Sequence, residues 1–246
     1  MSVRDQGSVP LPGDGDPQAR CTLHQQRMER FVHARLYVVT SRGLSAGRRT
    51  EDVVRMVLAA GVRLIQLREK ELALREFVAL AERVRLLTAA AGALLVINDR
   101  LDVALAVGAD GVHLGQEDLP VAAARRAAPE LIIGASTHNL EEALRAQADG
   151  ASYINIGPVF PTSSKADWSG GWLGVEGVRA IASRIRIPYT VMGGIKREHL
   201  PLLRSAGVTT VAVITAVTAA PDPGRAAREL LAALNPDTPG PCPVPP

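Results

Sequence analysis

Eight short runs of β-favouring apolar residues recur along this chain, each followed by a stretch of helical periodicity. That alternation limits the possible folds more than any other feature. The runs are LYVVT (36–40), LIQLR (64–68), LLVIN (94–98), GVHL (111–114), LIIGA (131–135), YINIG (153–157), YTVMG (189–193) and TVAVI (210–214). Four are entered in the same way: AAGVRLIQL, VGADGVHL, ADGASYIN and SAGVTTVAV each put a glycine just ahead of the apolar run. A helix has to end there and the chain has to turn sharply, which glycine permits. Strands joined through helices run parallel, and eight such units in this length close as a single (β/α)8 barrel of the TIM type. An open doubly wound sheet is the alternative. The absence of GxGxxG after the first run weighs against its dinucleotide-binding form.

The barrel domain is expected over residues 23–235. Residues 1–22 are rich in Gly, Pro and Asp and read as a disordered tail, as does the proline-rich segment 236–246. A helix is expected from Thr50, which serves as its N-cap, with Glu51 and Asp52 favourable in its first turn. Another is expected over about 72–91. Hydrophobic residues make up 47% of the chain and aromatics only 3%, a balance of small and branched aliphatics that suits helix–sheet seams.

The net charge is +3, with arginines scattered and no dense basic run, so the basic balance reads as a solvated surface. Neither nucleic acid nor membrane is an expected partner. Cys21 and Cys242 both fall in the expected tails and form neither a disulfide framework nor a metal-ligand spacing. No stretch has the apolar length of a signal peptide core or a membrane span, so a soluble cytoplasmic protein is expected. A homo-oligomer is left open.

In a closed barrel the C-terminal strand ends and the loops after them build the active site. Those positions carry Gln66, Arg68, Glu69 and Lys70 in the second unit, and Asn98 and Asp99 in the third. The fourth carries His113 and the run Gly115-Gln116-Glu117-Asp118, and the fifth Ser136, Thr137 and His138. The sixth carries Thr162, Ser163, Ser164 and Lys165, followed by Gly193-Gly194 in the seventh and Thr215 in the eighth. The opposite ends carry mostly Gly, Ala and scattered Arg. Against 25 arginines the chain has three lysines, Lys70, Lys165 and Lys196, and all follow expected strands. A compact point charge suits a phosphate.

Three devices follow. Arg68, Lys70 and Lys165 form an anion clamp suited to a diphosphate, unless they are spent on salt bridges with Glu69 or Asp167. Asp99 and Asp118 are hard oxygen ligands suited to Mg²⁺ beside phosphate, although Asp118 also fits as a cap for a helix near Pro120. Gly193-Gly194 with Thr215 matches the phosphate site that loops after strands seven and eight often build. His113 faces either the barrel mouth or a packed layer, and His138 either the site or nearby loop backbone. Trp168 and Trp172 either close over substrate or pack on a neighbouring helix. No Ser-His-Asp triad and no zinc-ligand set is present.

The ordered motifs QLREK (66–70), IND (97–99), GADGVHLGQED (108–118), the Ser136/His138 segment, GPVFPTSSK (157–165) and GGI (193–195) resemble those of the thiamine-phosphate synthase (pyrophosphorylase) family, over about residues 36–217. That resemblance implies a transferase of thiamine biosynthesis, which condenses an aminopyrimidine diphosphate with a thiazole phosphate and releases pyrophosphate. It implies that Gln66, Arg68, Lys70, Asn98 and Lys165 hold the pyrimidine diphosphate, with Ser136 beside its reacting end. Asp99 and Asp118 would ligate Mg²⁺. Thr162 and Ser164 would contact the thiazole phosphate with the backbone around Gly194 and Thr215. Ser164 stands where the family often has Thr, and Asn139 where Thr is common. The rival readings are a sister thiazole tautomerase, a phosphosugar isomerase or epimerase, and a non-catalytic phosphate-binding barrel. The retained clamp and carboxylates argue against all three.

Overall fold

Strands β1 (Leu36–Val39), β2 (Leu64–Leu67), β3 (Leu94–Asn98), β4 (Gly111–Leu114), β5 (Ile132–Thr137), β6 (Tyr153–Ile156), β7 (Tyr189–Val191) and β8 (Val211–Val213) pair in parallel and in chain order. The sheet closes through β1 and β8, with Leu36 opposite Val211. This computed structural model describes residues 17–162 and 170–235. All eight expected strands occur where the apolar runs lie, and the (β/α)8 barrel is the fold.

The helices are α1 (Pro17–His33), α2 (Thr50–Ala59), α3 (Leu74–Ala90), α4 (Leu101–Ala106), α5 (Val121–Ala127), α6 (Leu140–Ala148), α7 (Gly174–Ala182), α8 (Leu200–Ser205), α9 (Thr215–Thr218) and α10 (Pro223–Leu234). None of the described helices is long and apolar enough to cross a membrane. The repeated glycine has the expected task. Gly61 follows the last residue capping α2 at φ +100°, and Val62 N donates back to Val57 O, closing the helix end. The same six-residue bond ends α4, α6 and α8, from Ala109 to Ala104, Ala151 to Ala146 and Val208 to Leu203.

Strand parity sorts the side chains into two cores. Leu36, Val38, Ile65, Leu67, Leu95, Ile97 and their equivalents pack outward against the helices. Tyr37, Leu64, Leu94, Val96, Ile132, Tyr153 and Ala212 fill the interior. Along the inward line of each strand the chemistry changes with height. Leu64 gives way to Gln66, Val96 to Asn98, Gly134 to Ser136 and Tyr153 to Asn155, so the floor is apolar and the mouth polar.

Two expectations need correction. Helix α1 begins at Pro17, so residues 17–22 are helical and not tail; residues 1–16 and 236–246 lie outside those described. Helix α1 seals the barrel's lower end. Phe31 joins the interior cluster, and Arg27 Nη1 donates to Glu130 O at 2.9 Å while Arg27 pairs with the buried Asp110. At α2 the N-cap position is Arg49, not Thr50. The Thr50 hydroxyl donates instead to Glu69 Oε1 at 2.7 Å, a partner from the loop after β2 that local sequence could not announce.

Candidate active site

The strand ends open into a cavity of about 1070 Å³. Arg68, Lys70, Asn98 and Asp99 enter it from the β2 and β3 sides, and His113, Asp118 and Ser136 from β4 and β5. Thr162, Gly193, Gly194 and Thr215 complete the far wall, with Gln66 below. Thus every sequence-predicted site residue within the described part of the chain borders one space. Ser164, Lys165 and Trp168, as well as Asp167, lie outside the described residues. Trp172 is 64% exposed and does not border the cavity.

The cations of β2 are left available by their own neighbour. Glu69, between Arg68 and Lys70, turns outward by parity and is consumed by the Arg42 backbone N–H at 2.7 Å and the Thr50 hydroxyl. Its charge therefore does not neutralise them. Lys70 Nζ instead reaches Asp99 Oδ2 at 3.6 Å. Arg68 is half-buried, anchored through its backbone N–H to the Thr40 hydroxyl at 3.0 Å.

Asp99 sits at φ +63°, a left-handed conformation that Asp tolerates better than most residues, and its N–H donates to His113 O at 2.8 Å. Held there, its carboxyl meets that of Asp118. Burial first, and then the hydrogen bond and charge of Asp118, push Asp99 up to about 6, against the pull of Lys70 and Arg68. Asp118 does not cap α5, whose N-cap position is Pro120 without a side-chain bond; its Oδ2 accepts from Gly115 N at 2.6 Å. Two carboxylates crowded together are relieved by a shared proton or by a cation. Hard oxygens beside the basic Lys70 and Arg68 fit Mg²⁺, which takes one or two carboxylates and fills its shell from phosphate and water. Among the described residues no cluster of three metal-ligating side chains exists, so a larger all-protein cage is not available.

His113 is buried, with Nδ1 2.9 Å from the Tyr153 hydroxyl and Nε2 2.9 Å from Ser136 Oγ. It is thus both in the packed layer and at the cavity floor. Burial lowers it to about 4, only partly offset by Asp118, so the ring is neutral near pH 7. His138 borders the cavity, and its Nδ1 lies 2.8 Å from Glu142 Oε2.

Across the cavity, Gly193 and Gly194 have φ of +102° and +63°, and a Cβ on Gly194 would lie 2.3 Å from Pro161 O. No other residue lets these two loops close on each other. Thr215 opens α9, and Ile214, Thr215 and Ala216 all border the cavity. Lys196 also borders it. Gln116, from the run after β4, also borders the cavity, whereas Asn155 and Glu142 were missed as site residues. Asn155 could have been found by continuing the inward parity of β6, since it pairs with Ser136. Glu142 belongs to a helical turn and left no such signal.

Residues 36–217 match the family model described as thiamine monophosphate synthase. A thiamine-phosphate synthase of Chloroflexus aurantiacus is 45% identical over 205 residues, covering 83% of this chain and 94% of that protein. One from Moorella thermoacetica is 48% identical, over 79% of this chain and 93% of the relative. Among solved structures, thiamine phosphate pyrophosphorylase of Pyrococcus furiosus superposes with a TM-score of 0.76 at 40% identity, covering 83% of this chain and 97% of that one.

Proposed function

The chain belongs to the thiamine monophosphate synthase family, and from that premise we propose how its cavity divides the work of the reaction. Its activity is thiamine-phosphate synthesis, a transferase reaction of thiamine biosynthesis. On our reading Arg68, Lys70 and Lys165 hold the diphosphate of an aminopyrimidine, and Gln66, Asn98, His113 and Ser136 receive its ring. Thr162, Ser164, the Gly193-Gly194 backbone and Thr215 take the phosphate of a thiazole or carboxythiazole partner. The family setting supports a cytoplasmic location.

Asp99 and Asp118 would hold Mg²⁺, which when bound would neutralise charge on the departing pyrophosphate. The observation that carries this reading is the carboxyl pair beside Lys70, at the mouth where Arg68 also points. The bond from the pyrimidine methylene carbon to the diphosphate oxygen breaks with its electron pair leaving on oxygen. Arg68, Lys70 and Lys165 stabilise that charge electrostatically. The electron-rich aminopyrimidine carries the positive charge left behind, and the thiazole nitrogen supplies the pair for the new carbon–nitrogen bond. A neutral His113 adds no opposing charge beside that centre. No protein nucleophile is required.

Purified protein with Mg²⁺ and both substrates should release pyrophosphate and form thiamine phosphate in equal amounts, with neither substrate sufficing alone. Interconversion of thiazole tautomers without pyrophosphate release would overturn the assignment.

A further inference from the structure

A hydrogen-bonded chain crosses the barrel interior beneath the site. Gln66 Nε2 donates to the Tyr37 hydroxyl at 2.7 Å, and the Tyr37 and Tyr153 hydroxyls lie 3.0 Å apart. Tyr153 reaches His113 Nδ1 at 2.9 Å, and His113 Nε2 reaches Ser136 Oγ at 2.9 Å. Both ends, Gln66 and Ser136, border the cavity.

The proton count gives this chain a direction. Each phenol has one proton to donate. The Tyr37 oxygen receives the Gln66 amide, so its own proton goes to Tyr153. Tyr153 then donates to His113 Nδ1, which must accept. A neutral imidazole carries a single proton, here on Nε2, and gives it to Ser136 Oγ. The Ser136 proton is left for the cavity, and at the other end the Gln66 carbonyl Oε1 is left as an acceptor.

Water does not intervene, because Gln66, Tyr37, Tyr153 and His113 are all at most 5% exposed. Burial pushes both phenols up, so neither gives up its proton near neutral pH. Reversing one bond would require reversing all of them together.

We propose that Tyr37, Tyr153 and His113 are positioning residues that fix Gln66 as an acceptor and Ser136 as a donor, and so select an aminopyrimidine over its 4-oxo counterpart. An aminopyrimidine offers an N–H donor on its exocyclic nitrogen and an acceptor on the adjacent ring nitrogen. The 4-oxo ring offers the reverse, an acceptor oxygen beside a ring N–H. A buried polar group facing the wrong partner discriminates far more strongly than a lost apolar contact. The inference rests on the pyrimidine reading above.

The test combines a spectrum with a specificity ratio. In ¹⁵N-histidine-labelled full-length protein, with the His113 signals assigned by their loss in His113→Gln, Nε2 should carry the proton and Nδ1 should not. Tyr153→Phe keeps the ring but removes the link. It should allow His113 both tautomers and lower the amino-to-oxo ratio of kcat/KM by about tenfold or more. Tyr37→Phe cuts the chain one step earlier and should lower the same ratio, which keeps the test open if the first variant folds poorly. A wild-type proton on Nδ1, or an unchanged ratio in variants that still turn over the aminopyrimidine diphosphate, would overturn the proposal. Wild-type protein that turned over neither pyrimidine would refute the substrate reading itself and the selection with it. The tautomer spectrum would still report the direction of the chain.

Discussion

The ring of Tyr153 occupies the space that a side chain on Gly134 would need: a Cβ there would stand 2.2 Å from Tyr153 Cζ. Gly134→Ala should therefore push the ring off both Tyr37 and His113. We expect a loss of about 2–3 kcal/mol in unfolding free energy, the scale of an overpacked core, together with reduced turnover. Gly43→Ala, where nothing lies within 4 Å, is the control. Equal melting temperatures for the two variants would refute the steric reading.

Phe31 supports the same ring from below, with centroids 4.4 Å apart, and is 1% exposed. Phe31→Ala removes a buried aromatic and should cost about 3–5 kcal/mol in urea unfolding. A cost below about 1 kcal/mol would mean that α1 is not part of the barrel's cooperative unit.

His113 makes stability depend on pH. The folded protein holds it at about 4, against 6.5 for an exposed imidazole. Between those values the unfolded chain binds a proton that the folded chain refuses. Its contribution is full above about pH 6.5 and is lost as pH falls toward 4, with about 2 kcal/mol gone by roughly pH 5. In His113→Asn the difference in unfolding free energy between about pH 7.5 and 5 should shrink by that amount. An unchanged difference would assign the acid sensitivity to other groups.

Asp99→Ala should abolish Mg²⁺-dependent turnover while leaving the fold intact, because its carboxyl and that of Asp118 meet at the mouth. Titrating Mg²⁺ against pyrophosphate release checks this. Wild-type activity and Mg²⁺ response in the variant would remove Asp99 from the metal site.

Lys165→Ala should lower kcat by about 10²–10³, the cost of one electrostatic donor acting on the departing diphosphate. A change confined to KM would show that Lys165 binds ground and transition states equally.

The strands were legible because each unit carries its own apolar run and, in four cases, the same glycine stop. The convergence of Arg68, Lys70, Asp99 and Asp118 on one cavity was legible because a parallel barrel sends all strand C-termini to one face. Helix α1 was harder to read. Its segment PQARCTLHQQRMERFVH is mostly polar, and it folds by docking Phe31 and Arg27 onto the barrel floor, contacts with residues far along the chain. Thr50 was displaced as a cap by one position because Glu69, in the loop after the next strand, claims its hydroxyl. Tyr37 and Tyr153 appear in sequence as ordinary strand aromatics. Their shared hydrogen bond spans 116 residues and leaves no local trace.

The closure of β1 on β8 has a consequence for the order of events during synthesis. Leu36 is made early and must wait for Val211 before its edge is satisfied. Tyr37 likewise has no hydroxyl partner on β6 until Tyr153 has emerged. Such distant pairings carry a large loop-closure cost and slow folding. A nascent chain stalled before its last strand would carry Arg68, Lys70 and Asp99 in a half-built sheet with an open seam. The cavity wall that carries Gly193, Gly194 and Thr215 would then be the last to be completed, after the interior network from Tyr37 to Tyr153 has all been synthesised.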